Sequence, residues 1–187
     1  MTSQRFTSAK TDLKQIPAVF KLMKKHLSNP ALYFATNREC LDFGGGAGEK
    51  LTDAFAEIGV RNFVLDPFNR SEEHNKLVRR LLTVQPASFA ICANVLNVIK
   101  EPKIRMEALR EIAALTDPLG KVYISVHEGN KTSRGKRTKS DSWQANRPLK
   151  SYVREIKQVF GEGFYLPGRK VLVCEGRHQP KRKRRSA

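Results

Sequence analysis

The chain has 187 residues, 40% of them hydrophobic, and 35 Lys/Arg against 18 Asp/Glu give it a net charge of +17. That size and apolar content suit one domain with a real core, and no apolar run approaches the ~20 residues that span a bilayer. Cys40, Cys92 and Cys174 lie in or beside apolar strand patterns without metal-ligand spacing. They read as reduced core residues, and no metal site is expected. No signal-peptide core follows Met1-Thr2-Ser3-Gln4-Arg5, so the expected location is cytoplasmic.

In chain order, Ile16, Val19, Phe20, Met23 and Leu27 form one helical face, stopped by Asn29-Pro30. This helix would cover the sheet edge or the mouth of a ligand site. An apolar run with an acidic residue near its end, Glu39 to Phe43, breaks into the turn Gly44-Gly45-Gly46-Ala47-Gly48. A helix pattern follows, with Leu51, Ala54, Phe55 and Ile58 on one face and Gly59 as its stop. The next strand is Asn62 to Leu65, ending at Asp66. A helix around Ser71–Leu82 carries Leu77, Val78, Leu81 and Leu82. A buried strand starts at Phe89 and runs into the polar turn Asn94 to Ile99. A helix from about Lys103 to Thr116 shows Ile104, Ala108, Leu109, Ile112 and Leu115. Pro118-Leu119-Gly120 reads as a stop and turn, and Lys121–His127 as the next strand. Tyr152, Val153, Ile156, Val159 and Phe160 mark a last helix. Phe164-Tyr165 and Lys170–Cys174 fit a hairpin turned at Pro167-Gly168. Strands alternating with helices and ending in a hairpin imply an α/β fold whose sheet is mainly parallel, with one antiparallel strand. Ligands in such sheets bind at the carboxyl ends of the strands.

The glycine turn is the sharpest chemical signal. Glycines admit positive φ and let a ligand approach the main chain. The spacing fails the dinucleotide fingerprint, whose third glycine would fall on Glu49 or Leu51. The phosphate-binding G-x-x-x-x-G-K-[ST] pattern also fails. A nucleotide cofactor without a phosphate chain fits better, because acidic neighbours are then tolerated.

Leu41-Asp42-Phe43-Gly44-Gly45-Gly46-Ala47-Gly48 resembles the first motif of class I S-adenosylmethionine (SAM)-dependent methyltransferases, D/E-x-G-x-G-x-G. The resemblance places Asp42, Gly44, Gly46 and Gly48 at the methionine part of SAM. It makes Asp66 the acceptor for the ribose hydroxyls and Phe68 a wall for the adenine. Phe89 to Ile99 sits where that family has its fourth motif, which implies cofactor contacts from Asn94 and Val95. The amino-methylating D/N-P-P-Y/F/W is absent. Asn94-Val95-Leu96-Asn97-Val98-Ile99 is more similar to an element of methyltransferases associated with DNA phosphorothioation and of related phage-type proteins. The implied fold is a Rossmann-like class I methyltransferase sheet, mainly parallel with a C-terminal antiparallel hairpin. Too few residues separate Asp66 from Phe89 for another helix and strand, so the family's third strand should be missing. Singly, the same residues also fit structural roles: a tight βα turn, a cap at Asp66-Pro67, turn positions at Asn94 and Asn97.

Methyl transfer demands alignment more than any fixed residue type. Asn94 could orient the nucleophile and His127 could act as general base, its ordinary pKa lying near neutrality; Glu128 is the neighbouring alternative. Residues 130–187 hold 17 Lys/Arg against 4 Asp/Glu, concentrated in Asn130–Lys150 and in Lys181-Arg182-Lys183-Arg184-Arg185. Such a surface attracts polyanions. Lys131, Arg134, Lys136 and Arg137 could hold phosphates while Trp143 stacks on a base; equally, the segment fits a solvated loop with Trp143 folded onto the core. The expected organisation is a methyltransferase-like domain over 1–176, with a helical segment at 1–30, a basic loop at 130–150 over the active-site face, and a basic tail at 177–187. The expected function is SAM-dependent methylation of a nucleic acid, DNA or RNA, or a nucleotide-like anion. The alternatives are a non-catalytic nucleic-acid-binding protein on a degenerate methyltransferase fold and a small-molecule methyltransferase.

Overall fold

The computed structural model describes residues 16–27, 38–139, 142–166 and 170–176. In order they form α1 (Ala18–Leu27), β1 (Glu39–Phe43), α2 (Lys50–Ala56), β2 (Arg61–Leu65), α3 (Glu72–Val84), β3 (Ala87–Ala93), α4 (Pro102–Leu115) and β4 (Thr116–Ser125). The hairpin strands β5 (Gly135–Lys139) and β6 (Ser142–Ala145) come next. A 3-10 turn (Leu149–Tyr152) then leads into α5 (Val153–Phe160), followed by β7 (Phe164–Leu166) and β8 (Val171–Glu175). The main sheet has the order β2-β1-β3-β4-β8-β7, and β5 and β6 pair separately. β1 to β4 pair in parallel, and β8 is antiparallel to both β4 and β7. Among the described residues no strand lies outside β2, so the expected loss of the third strand is observed.

The sheet separates two apolar layers, as the period-2 alternation of strands requires. Leu41, Phe43, Leu65, Ala90, Cys92, Val122 and Ile124 face α3, α4 and α5 through Val78, Leu82, Leu109, Ile112, Ile156 and Phe160. Cys40, Phe89, Ile91, Tyr123 and Val173 face α1 and α2 through Val19, Met23, Leu51 and Phe55. Every residue of β1 is buried, which is the signature of a parallel strand covered on both sides. α1 is also tied to the sheet by a 2.8 Å contact between His26 Nδ1 and the Tyr123 hydroxyl.

Helix starts follow local chemistry. Ser71 caps α3 by accepting from His74 N–H at 3.2 Å, with Glu72 and Glu73 in the first turn. Pro102 opens α4, where its missing N–H costs nothing.

Several expectations need correction. Leu77 and Leu81, read as part of the buried face of α3, are 56% and 44% exposed; only Val78 and Leu82 are buried. With no strand beyond β2, α3 has a narrow support and buries a narrower stripe. Ile16 precedes α1 and is exposed. Pro118-Leu119-Gly120 does not separate a helix from a strand but lies within β4. The ladder pairs Ala87 with Thr116 and then Phe89 with Lys121, so the extra residues bulge out. β4 ends at Ser125, before His127. Asn29-Pro30 and Pro167-Gly168 lie outside the described residues. No helix among the described residues is long and apolar enough to cross a membrane. No group of His, Cys, Asp or Glu among them could hold a metal ion.

Burial predicts the response to truncation. Leu109→Ala should cost about 2–5 kcal/mol and Leu81→Ala no more than about 0.5 kcal/mol, as read by urea unfolding. Equal losses at the two positions would contradict this packing.

Candidate cofactor-binding site

The strand order turns at β1: β2 lies on one side and β3 on the other. A crevice opens at the carboxyl ends of strands placed this way. The glycine turn occupies that point. Gly44 N–H donates to Leu65 carbonyl at 2.8 Å, so the turn begins in register with β2. Gly44 and Gly46 have φ of +75° and +76°, conformations that cost little only for glycine. Space is a second constraint. A Cβ on Gly44 would overlap Val95 Cγ2, and one on Gly45 would overlap Asp42 Oδ2. The first and fourth motifs are thereby in direct contact.

Asp66, at the end of β2, joins the same cluster. Its Oδ2 accepts from Gly46 N–H at 2.8 Å and from Asn69 Nδ2 at 3.0 Å. Its Oδ1 accepts from the N–H groups of Phe68 at 2.9 Å and Asn69 at 3.0 Å. A carboxylate offers about four acceptor sites, and all are filled within the chain. A ligand hydroxyl would replace a donor such as the exposed Asn69 amide. Asn75 fixes the main chain of Asp66 from both sides, accepting from its N–H and donating to its carbonyl, each at 3.0 Å. Phe68 is 52% exposed beside this turn.

Asp42 is buried beneath the turn. Burial, chiefly, pushes its pKa up to about 7; the Asn62 side chain lowers it, the nearby Asp66 raises it and Arg70 lowers it. Arg70 donates from Nε to the Gly46 carbonyl at 2.9 Å and from Nη1 to Glu49 Oε1 at 2.6 Å. Neither Arg70 nor Asn75 carries a sequence signal. Arg70 acts across the fold on the glycines, while Asn75 braces the turn after β2 that carries it.

Asn94 follows β3 with φ of +61°, a conformation that Asn tolerates better than most residues. Its N–H donates to Ser125 carbonyl at 2.9 Å, and its side chain is exposed. His127 is exposed two residues beyond β4, and its carbonyl accepts from Gln144 Nε2 at 3.2 Å. Glu128 is buried. It accepts from Leu149 N–H at 3.0 Å and pairs with Lys131 and Lys170 at 3.5 Å each. The Leu149 bond, foremost, holds its pKa below the usual carboxylate range. Glu128 is an anchor and a weak base.

The basic segment is a structured hairpin. β5 and β6 pair Lys136 with Gln144 and Arg137 with Trp143. The hairpin docks on the turn after β3: Ala145 N–H donates to Asn97 carbonyl at 2.7 Å, and Asn97 Nδ2 donates to Gln144 Oε1 at 3.0 Å. Trp143 lies across Gly135, where a Cβ would overlap its Cζ2, and Lys100 Nζ stands 5.3 Å from its ring centre. The ring belongs to neither core layer. Arg134, Lys136 and Arg137 are exposed, while Lys131 reaches back to Glu128. The structure thus gathers Asp42, Gly44, Gly46, Gly48, Asp66 and Val95 at one point, with Phe68 and Asn94 at its rim. His127 and the hairpin residues stand beside it on the next strand end.

These residues suit SAM. The turn carries no side chain that blocks approach to its backbone, an aromatic face is exposed next to it, and the surrounding carboxylates disfavour a phosphate chain but accept a sulfonium.

Asp42 also predicts a pH dependence. A carboxylate raised to about 7 keeps its proton in the folded state where the unfolded chain releases it. Its contribution to stability is therefore present at low pH and declines between about pH 4 and 7, by at most ~1.4 kcal/mol per unit. Relative to wild type, Asp42→Asn should gain stability from pH 5 to about pH 7 in thermal melts and level off above that. A pH-independent difference would contradict a titrating Asp42.

Comparison with known proteins gives the family and the fold. A family model described as a methyltransferase domain matches residues 15–159. No curated protein is similar to the chain in sequence. Among solved structures, a SAM-dependent methyltransferase from Methanosarcina mazei superposes with a TM-score of 0.52 at 14% identity, covering 79% of this chain and 97% of its own. Burkholderia thailandensis 1,6-didemethyltoxoflavin-N1-methyltransferase, solved with 1,6-didemethyltoxoflavin and S-adenosylhomocysteine (SAH), gives 0.51 at 16% identity over 90% and 92%. The glycopeptide N-methyltransferase MtfA, complexed with sinefungin, gives 0.52 at 12% identity over 91% and 97%. At such identities the superpositions establish the α/β fold, and the family rests on the domain match across most of the chain. The match spans most of the described sheet and its helices, and this chain belongs to the class I SAM-dependent methyltransferases.

Proposed function

We propose that the protein transfers the methyl group of SAM to a nucleic acid or a similar polyanion. The docking of the basic hairpin beside the candidate methyl-transfer site carries this reading. Asn97 holds Gln144 and Ala145 of the hairpin, and Val95 of the same turn lies against Gly44. Cations that grip phosphates are thereby anchored to the turn that would face the acceptor. Phosphate contacts of this kind set position more than sequence choice.

SAM, when bound, supplies an electrophilic methyl group on a sulfonium. In this reading Asp66 and Phe68 hold its nucleoside and the Gly44–Gly48 turn its amino-acid part. The exposed Asn94 side chain orients the acceptor N–H or O–H. His127 takes up the proton on an imidazole nitrogen as the acceptor loses it. Lys136 and Arg137 hold the phosphates, and Trp143 offers an aromatic edge to a base. The division into a domain over 1–176 and a basic tail over 177–187 belongs to the same proposal. The resemblance of Asn94 to Ile99 to an element of DNA-phosphorothioation-associated and phage-type proteins makes DNA the first substrate to try.

Calorimetry should show SAH binding that weakens at least about tenfold in Asp66→Ala, because several of the bonds that shape the turn are lost with it. Lys136→Glu with Arg137→Glu should weaken nucleic-acid binding across sequences and flatten its salt dependence, by about one unit of slope per lost contact. Labelled methyl appearing in DNA or RNA would support the proposal. Full turnover of a small acceptor, unaffected by nucleic acid or by deletion of Gln179–Ala187, would replace it with a small-molecule enzyme. Nucleic-acid binding without SAH binding would favour an accessory role.

A further inference from the structure

Arg70 belongs to none of the motifs. Its main chain is fixed twice in the turn before α3: its N–H donates to Asp66 carbonyl at 3.1 Å, and Asn75 Nδ2 donates to its carbonyl at 3.3 Å. From that anchored base the guanidinium reaches the glycine turn. Nε donates to Gly46 carbonyl at 2.9 Å, Nη2 to Gly48 carbonyl at 3.4 Å, and Nη1 to Glu49 Oε1 at 2.6 Å. The side chain is only 17% exposed.

Peptide planarity turns these contacts into a directional statement. In a trans peptide the N–H points opposite to the preceding carbonyl. Holding the carbonyls of Gly46 and Gly48 on the Arg70 side therefore turns the N–H groups of Ala47 and Glu49 to the other side. Neither N–H has a hydrogen-bond partner among the described residues. The two donors share one orientation, the Glu49 carboxylate is drawn towards Arg70, and Asp66 already accepts from the Gly46 N–H. Such a pair suits a small anionic group. In SAM that group is the carboxylate of the methionine part.

We propose that Arg70 is a positioning residue for the cofactor: by holding the carbonyls of Gly46 and Gly48 it aims the Ala47 and Glu49 amides at the cofactor carboxylate. This rests on the SAM-binding reading above. Arg is suited to it because its planar fork donates to several acceptors in fixed directions, whereas the Lys ammonium is a point charge.

The test is discrimination between SAH and its decarboxylated analogue, measured by calorimetry on the full chain for wild type, Arg70→Ala and Arg70→Lys. Wild type should prefer SAH. Arg70→Ala should lose about ten- to a hundredfold in SAH affinity, in keeping with charge-assisted hydrogen bonds, and bind the analogue nearly as wild type does. Arg70→Lys should recover part of the preference, and it serves in place of Arg70→Ala if that variant does not fold. Equal losses for both ligands would show a merely structural brace and overturn the proposal. So would an unchanged preference in the variants, or a wild type that does not distinguish the ligands. A wild type that binds neither ligand would overturn the SAM reading itself, and that result is read before any variant is made.

Discussion

The Gly46 peptide is held from both sides by the turn that follows β2. Its N–H goes to Asp66 Oδ2 and its carbonyl to Arg70 Nε. Those partners stand four residues apart, and Asn75 locks that turn in place through the Asp66 main chain. A glycine-rich loop left to itself would sample many conformations, since glycine loses more freedom on folding than any other residue. These few bonds select one of them. The shape of the cofactor edge therefore depends on β2 and its turn as much as on the glycines.

The same cluster sets the electrostatics of the site. The Arg70 guanidinium pairs with Glu49 and its charge also acts on the buried Asp42, which lies near Asp66. Burial of Asp42 beneath Gly45 raises its pKa to about 7. An acidic floor of this kind repels a pyrophosphate and tolerates a sulfonium, which agrees with the failed dinucleotide spacing. Arg70 is then both a geometric brace and a counter-charge. Losing it would leave carboxylates facing one another across a low-dielectric interior, where like charges are costly.

The fold's second device is the joint between the β3 turn and the basic hairpin. Asn97 spends its carbonyl and its side-chain amide on β6, and Arg105 supports the turn from below through the carbonyls of Ile99 and Lys100 while gripping Glu155 on α5. Charges that could belong to a loose loop are instead carried on paired strands. Trp143 is held within the hairpin by Gly135 and Lys100, a position that neither a base-stacking loop nor a core-seeking side chain describes fully.

Local information determined much of this protein. Period-2 and period-3.6 patterns, with Gly and Pro stops, placed the main strands and helices, because burial on one face leaves a periodic trace. The spacing of Asp42, Gly44, Gly46, Gly48 and Asp66 was readable because a tight turn calls for glycine where φ is positive or a side chain would collide, as at Gly44, Gly45 and Gly46. The short link from Asp66 to Phe89 was enough to remove the third strand. What only the tertiary structure decided involves partners far apart in sequence. Leu77 and Leu81 look buried by period and are exposed, because no described strand beyond β2 covers them. Pro118-Leu119-Gly120 looks like a boundary and is a bulge, because the β3 ladder resumes past it. Arg70 and Asn97 gain their roles only when the sheet brings their partners to them. A hydrogen bond between distant segments leaves no periodicity in the chain that makes it.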